Sequence, residues 1–152
     1  MAIQAGDRMP SFELPDANGA LVRSQDLLGN GPVVVYFYPK DDTPGCKAEA
    51  CAFRDQYEVF KDAGAEVVGI SSDSSSSHGQ FARKYSLPFV LLSDTGNRAR
   101  KAFGVPRTLG VLPGRVTYVI DASGTVQHVF SSQIAATKHV DEALAVVKRL
   151  AA

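Results

Sequence analysis

Both cysteines of this 152-residue chain fall in one short stretch, YPKDDTPGCKAEAC, from Tyr38 to Cys51. Pro39 to Gly45 is a loop by composition, and an amphipathic helix follows it. Cys46 therefore sits at the first turn of a helix, where unpaired backbone N–H groups and the helix dipole favour an anion. Lys40 and Lys47 flank it. Such a place stabilises a thiolate, the nucleophilic form of cysteine. Pro44 suits an early helical position, where its missing N–H costs little. Either cysteine can instead be an inert small apolar residue, a reading that weighs more for the mid-helix Cys51. The C-x₄-C spacing is not that of a zinc site, and His78, His128 and His139 are scattered. Each histidine reads as a surface or hydrogen-bonded residue, and no metal is implied.

The elements that must position this loop follow from periodicity. The run SFELPDANGALVRSQDL reads as two short strands around an Asn18-Gly19 turn. Val33–Tyr38 is apolar or aromatic throughout, as expected of a strand buried on both faces. After the loop, Phe53, Tyr57 and Phe60 recur at helical spacing, Glu49, Arg54, Asp55, Glu58, Lys61 and Asp62 fill the other positions, and Gly64 ends the helix. EVVGIS and FVLLSD read as further strands. Between them, SSSSHGQFARKYS is a helix whose serine run supplies an N-cap and which stops before Pro88. A short helix ends near Gly104. RVTYVID and TVQHVFSS form a hairpin, and TKHVDEALAVVKRL is a terminal amphipathic helix. The expected class is α/β, with a mixed central sheet flanked by helices and an N-terminal β-hairpin, in a single domain over residues 1–152.

Composition narrows the partners. Lys+Arg and Asp+Glu are both 16, so the net charge argues against nucleic acid or an anionic membrane as the main partner. No window approaches the ~18 apolar residues of a membrane span. The N-terminal run lacks an apolar signal core and carries Asp7 and Arg8, so a cytoplasmic location is expected; an organellar protein in mature form would read the same. Two cysteines do not make a secreted disulfide scaffold.

Pro39, Thr43 and Cys46 match the P-x-x-x-T-x-x-C loop of the peroxiredoxins, and YFYPKDDTPGCKAEACAFRD resembles their Q branch, also called bacterioferritin comigratory proteins. GISSD, KYSLPFVLLSD and LPGRVTYVID extend the resemblance over roughly residues 5–150. It implies a thioredoxin-like fold and a thiol peroxidase acting on hydrogen peroxide and organic hydroperoxides. By that resemblance Cys46 is peroxidatic and Cys51 resolving. Thr43 donates to thiolate and peroxide, Pro39 shields the pocket, and Arg115 reaches in from a neighbouring strand. The Gly45 and Cys46 backbone N–H groups help cradle the substrate. Taken without the resemblance, Thr43 also reads as a helix N-cap or turn residue and Arg115 as a solvated strand-end cation.

The chemistry suits these residue types. Attack on the O–O bond leaves a sulfenic acid, which a second thiol condenses to a disulfide. An arginine stays cationic and offers planar N–H groups to both thiolate and peroxide. The implied reductant is thioredoxin; no cofactor is implied, and the expected state is a monomer. Residues five apart on a helix have Cα atoms roughly 8–9 Å apart, beyond the ~7 Å that a disulfide tolerates, so the bond requires the helix to unwind. Two other readings compete: a thiol–disulfide oxidoreductase, whose C-x-x-C signature is missing, and a redox-switched binding or chaperone module.

Overall fold

The computed structural model describes residues 2–105, 107–108 and 112–151, so the termini of the expected 1–152 domain and residues 106 and 109–111 lie outside the described residues. An N-terminal hairpin pairs β1 (Glu13–Pro15) with β2 (Leu21–Arg23) antiparallel. Its turn is held by Asp16, whose Oδ1 accepts the Asn18 and Ala20 N–H groups, while Gly19 supplies the positive φ of 83°. A 3-10 turn, Ser24–Leu27, leads to β3 (Val33–Phe37).

The chain then runs through α1 (Pro44–Asp55), α2 (Tyr57–Asp62), β4 (Glu66–Ser71), α3 (Ser75–Tyr85), β5 (Val90–Ser93) and α4 (Arg98–Phe103). Two short strands follow, β6 (Arg107–Thr108) and β7 (Leu112–Pro113), then β8 (Val116–Ile120), β9 (Val126–Ser131) and α5 (Lys138–Ala151). The main sheet has the order β5-β4-β3-β8-β9, with β3, β4 and β5 parallel, β8 antiparallel to β3, and β9 antiparallel to β8.

β3 is central, and its alternation separates two cores. Val34, Tyr36 and Tyr38 face one side with α1, α2, α3 and α5; Val33, Val35 and Phe37 face the other with α4 and the N-terminal hairpin. The mixed sheet, its flanking helices and both hairpins are as the residue pattern predicts. Ser74 caps α3 by accepting the Ser77 N–H at 3.1 Å, as the serine run suggests.

Two local expectations change. The helix read as continuous to Gly64 is broken at Gln56, whose N–H turns to both the Ala52 and Arg54 carbonyls. The break lets α2 restart and set Phe60 against Phe53, their ring centroids 5.8 Å apart. The β6–β7 pair was not foreseen; two residues per strand is too short to leave a periodicity. Among the described residues, no helix is long and apolar enough to cross a membrane.

Candidate active site

β3 ends at Phe37 and delivers Tyr38 and the following loop to the edge of the sheet. The loop is tied down residue by residue. The Asp41 N–H donates to Asp73 Oδ2 at 2.8 Å. The Asp41 carboxylate accepts from Tyr38 Oη at 2.6 Å and Ser77 Oγ at 2.8 Å, and lies 2.7 Å from His78 Nδ1. His78 Nε2 faces the Leu92 carbonyl at 2.9 Å, so both nitrogens of the buried ring are paired with oxygen atoms. Asp42 takes a left-handed conformation, φ 58°, and its carboxylate holds Lys84 and Tyr85 of α3. That turn aims the chain into α1.

α1 opens with Thr43 as N-cap and Pro44 in its first turn. The Gly45 and Cys46 N–H groups lie ahead of the first intrahelical bond, Lys47 N–H to the Thr43 carbonyl at 2.7 Å. Cys46 Sγ lies 3.3 Å from Arg115 Nη2. Arg115 stands just before β8, next to β3 in the sheet, which is how residues 69 apart in sequence meet. Gly45 leaves room for that approach: a Cβ there would lie 2.9 Å from Arg115 Nη2, so the guanidinium would have to shift. Arg115 is 5% exposed, so it is not the solvated strand-end cation that its position in the sequence also allowed. Arg100 braces the geometry from behind, donating to the carbonyls of Tyr38 at 3.0 Å and Gly114 at 2.9 Å.

One feature differs from the sequence reading. Thr43 makes no side-chain cap bond; its hydroxyl hydrogen goes to the Lys40 carbonyl at 3.0 Å, so in this state the hydroxyl is not donating to the sulfur. Cys46 is 1% exposed, with Arg115 against its sulfur. Pro39 is half-buried, and Cys51, also a free thiol, is half-buried later on the same unbroken helix.

Glu49 is the residue that sequence reasoning misplaced. It was counted among the outward charges of an amphipathic helix, yet it is fully buried. Its Oε1 accepts from Arg115 Nη1 at 2.6 Å, and its Oε2 is a buried oxygen with no hydrogen-bond partner. Burial pushes the Glu49 pKa up to about 8, against the opposing pull of Arg115. Burial works against the charge of Arg115 too, but Glu49 and Cys46 beside it raise its pKa above the ordinary arginine value. The available signal was spacing: Glu49 is three residues after Cys46 and four before Phe53, on the buried face.

Behind Glu49 lies His139 of α5, also fully buried. Burial lowers its pKa to about 4, so the ring is neutral. Its Nε2 faces the Ser132 carbonyl at 2.8 Å and must carry the hydrogen, which leaves Nδ1 to accept from Thr117 Oγ1 at 2.8 Å. His78 and His139 are thus the hydrogen-bonded residues that the sequence reading allowed, and His128 lies nearer the surface, 3.0 Å from Glu142.

A thiol at the first turn of a helix, under a buried arginine, at the edge of a mixed sheet of this order defines a thiol redox centre. Comparison with known proteins is consistent with it. Residues 5–129 match the AhpC/TSA family. The chloroplastic peroxiredoxin Q of Sedum lineare is 56% identical over 149 residues, which cover 97% of this chain and 80% of that protein. The structure of the peroxidoxin BcpB of Mycobacterium tuberculosis superposes with a TM-score of 0.90 at 40% identity, covering 97% of this chain and 98% of that one. That of the Xanthomonas campestris bacterioferritin comigratory protein, described for its alkyl peroxide reduction activity, superposes with a TM-score of 0.86 at 30% identity over 100% of this chain and 99% of that one. The chain belongs to the AhpC/TSA family, as a peroxiredoxin of the Q branch with a thioredoxin-like fold.

Proposed function

We propose that Cys46 is the peroxidatic thiol of a thioredoxin-dependent peroxidase and that Cys51 resolves it. The observation that supports this most is the 3.3 Å contact between Cys46 Sγ and Arg115 Nη2 at the opening of α1. The guanidinium and the first-turn N–H groups favour thiolate and stand ready for the charge that grows on the leaving oxygen. Thr43 and Pro39 complete the pocket wall, and the Thr43 hydroxyl turns from Lys40 to the substrate when peroxide enters.

The thiolate attacks the nearer oxygen of hydrogen peroxide or an organic hydroperoxide. Sulfur gains the oxygen, the O–O bond breaks, and water or alcohol departs. The alkyl peroxide activity described for the Xanthomonas campestris relative supports including organic hydroperoxides. Cys46 sulfenic acid then condenses with Cys51 once α1 unwinds, and thioredoxin reduces the disulfide. The enzyme works as a one-domain monomer in the cytoplasm, or in an organelle as the chloroplastic relatives do, without nucleic acid or membrane.

Peroxide consumption with thioredoxin, its reductase and a nicotinamide reductant is the test. Cys46→Ser should abolish turnover with the fold kept. Cys51→Ser should give one fast oxidation followed by a sulfenic acid that persists or over-oxidises. Sustained turnover by Cys46→Ser would defeat the assignment of the nucleophile; sustained thioredoxin-linked turnover by Cys51→Ser would defeat that of the resolving thiol.

A further inference from the structure

Two groups that can each carry a negative charge face one buried guanidinium. Arg115 holds Cys46 Sγ through Nη2 at 3.3 Å and Glu49 Oε1 through Nη1 at 2.6 Å, and its Nε donates to the Gln133 carbonyl at 3.3 Å. The side chains of Arg115 and Glu49 are 4% and 0% exposed. Two adjacent anions and a single cation leave one charge in excess, and burial makes that excess costly. In related arrangements, paired acids share one proton because both cannot ionise.

The far side of Glu49 indicates where the proton resides. Oε2 has no hydrogen-bond partner and lies 3.7 Å from His139 Nδ1. That nitrogen carries no hydrogen, since Nε2–H is committed to the Ser132 carbonyl, and its lone pair already accepts from Thr117 Oγ1. No donor therefore reaches Oε2, and an ionised Glu49 would leave a buried charged oxygen without a hydrogen bond, which costs more than leaving a neutral hydroxyl there. Among the described residues, Tyr36 of β3 also feels the pair, and is kept un-ionised first by burial and then by Glu49 and Cys46 themselves. Thr117 of β8 is occupied with His139. The raised pKa of Glu49 agrees with this picture.

We propose that Cys46 and Glu49 share a single negative charge: Glu49 is protonated while the sulfur is a thiolate, and becomes the carboxylate partner of Arg115 once the sulfur is oxidised. This rests on Cys46 being the attacked thiol. The step balances. Thiolate, neutral Glu49 and hydroperoxide give sulfenic acid, ionised Glu49 and alcohol. An S–O bond forms, the O–O bond breaks, and sulfur loses two electrons to the peroxide. The leaving oxygen ends with a proton and Glu49 ends without one, so no net proton comes from the solvent. Glu49 lies between the two cysteines, on the stretch of α1 that must unwind for the disulfide. Oxidation therefore turns a neutral buried side chain there into a charged one that water solvates better, which favours opening of the helix.

The test uses Cys51→Ser, which stops at the sulfenic acid, with and without Glu49→Gln. Gln keeps an acceptor for Arg115 and has no carboxyl proton to release. Each protein is oxidised by one equivalent of hydrogen peroxide in weak buffer with a pH indicator, at a pH where the thiolate absorbance is present. Cys51→Ser should take up no proton, and the double variant about one per sulfur oxidised. Equal uptake by the two would overturn the shared charge. Infrared difference spectra of the Cys51→Ser protein with isotope-labelled glutamate decide even if the double variant does not fold. A carboxylic-acid carbonyl band should be present before oxidation and lost after it; its absence from the reduced protein would equally overturn the proposal. A sulfenic-acid probe followed by peptide mass spectrometry separates the underlying assignment: without an adduct on Cys46, the choice of nucleophile itself is wrong.

Discussion

The stretch from Tyr38 to Ala50 is held by different means in its two halves. From Tyr38 to Asp42 the ties are polar and run outward to elements that take no part in the chemistry: Asp73 beyond β4, and Ser77, His78, Lys84 and Tyr85 of α3. From Thr43 to Ala50 the segment is held by burial of Cys46, Glu49 and Ala50, and by Arg115, whose partners on this segment are the sulfur and the Glu49 carboxyl. Under the proposed chemistry, oxidation acts at the centre of the second set and at no member of the first. A loop pinned to the scaffold can stay in place while the adjoining helix turns open, because the two share few supports.

The largest effect is expected where the second half is supported. Arg115→Ala should slow peroxide reduction by about 10²-fold or more and lower the thiolate absorbance at neutral pH, as for loss of an oxyanion donor. Arg115→Lys should recover only part, since lysine lacks the planar fork. Unchanged thiolate absorbance in Arg115→Ala would mean that the guanidinium contact is incidental. Gly45→Ala should act through the same group. Its Cβ would meet Nη2 at 2.9 Å, and displacing the guanidinium should slow the peroxide step by up to ~10²-fold while leaving the helix formed. Stopped-flow rates indistinguishable from wild type would show that Arg115 shifts freely.

In the pinned half the effect should appear in stability before rate. Asp41→Asn removes the bridging charge from Tyr38, Ser77 and His78, and should cost ~1–3 kcal/mol in urea unfolding, with a smaller loss of peroxide rate than Arg115→Ala. A rate loss exceeding that of Arg115→Ala would reverse the comparison.

The smallest effect is a pH slope. His139, with its pKa lowered to about 4 by burial, takes up no proton in the folded protein until well below the pH at which the unfolded chain does. Its contribution to stability is thus complete above about pH 6.5 and is lost as pH falls through about 4. Urea midpoints should drop over that window, and His139→Asn should drop less steeply. Parallel profiles would show that other groups set the slope.

The same contrast bears on what the sequence makes legible. The sheet, its hairpins and the cysteine loop could be read because apolar runs, breakers and an N-cap serine each leave a local pattern. Arg115 could be placed only through resemblance, since its contact with Cys46 spans 69 positions and no periodicity encodes that distance. Glu49 was read as solvent-facing because a charged residue on an amphipathic helix usually is. Its burial depends on Arg115 and His139, which arrive from β8 and α5. Asp41 and His78 show the same limit: a loop acid and a helix histidine look unremarkable until the fold closes them into a 2.7 Å pair.

Hydrogen exchange on reduced protein and on the Cys46–Cys51 disulfide form, read amide by amide, tests the central contrast most directly. The Lys47 N–H, bonded to Thr43, and the α1 amides through Phe53 should lose protection on oxidation. The Asp41 N–H, bonded to Asp73, and the Val33–Phe37 amides should keep theirs. If the disulfide forms while Lys47 stays as protected as before, or if Asp41 opens together with it, the division into a pinned loop and an opening helix is wrong.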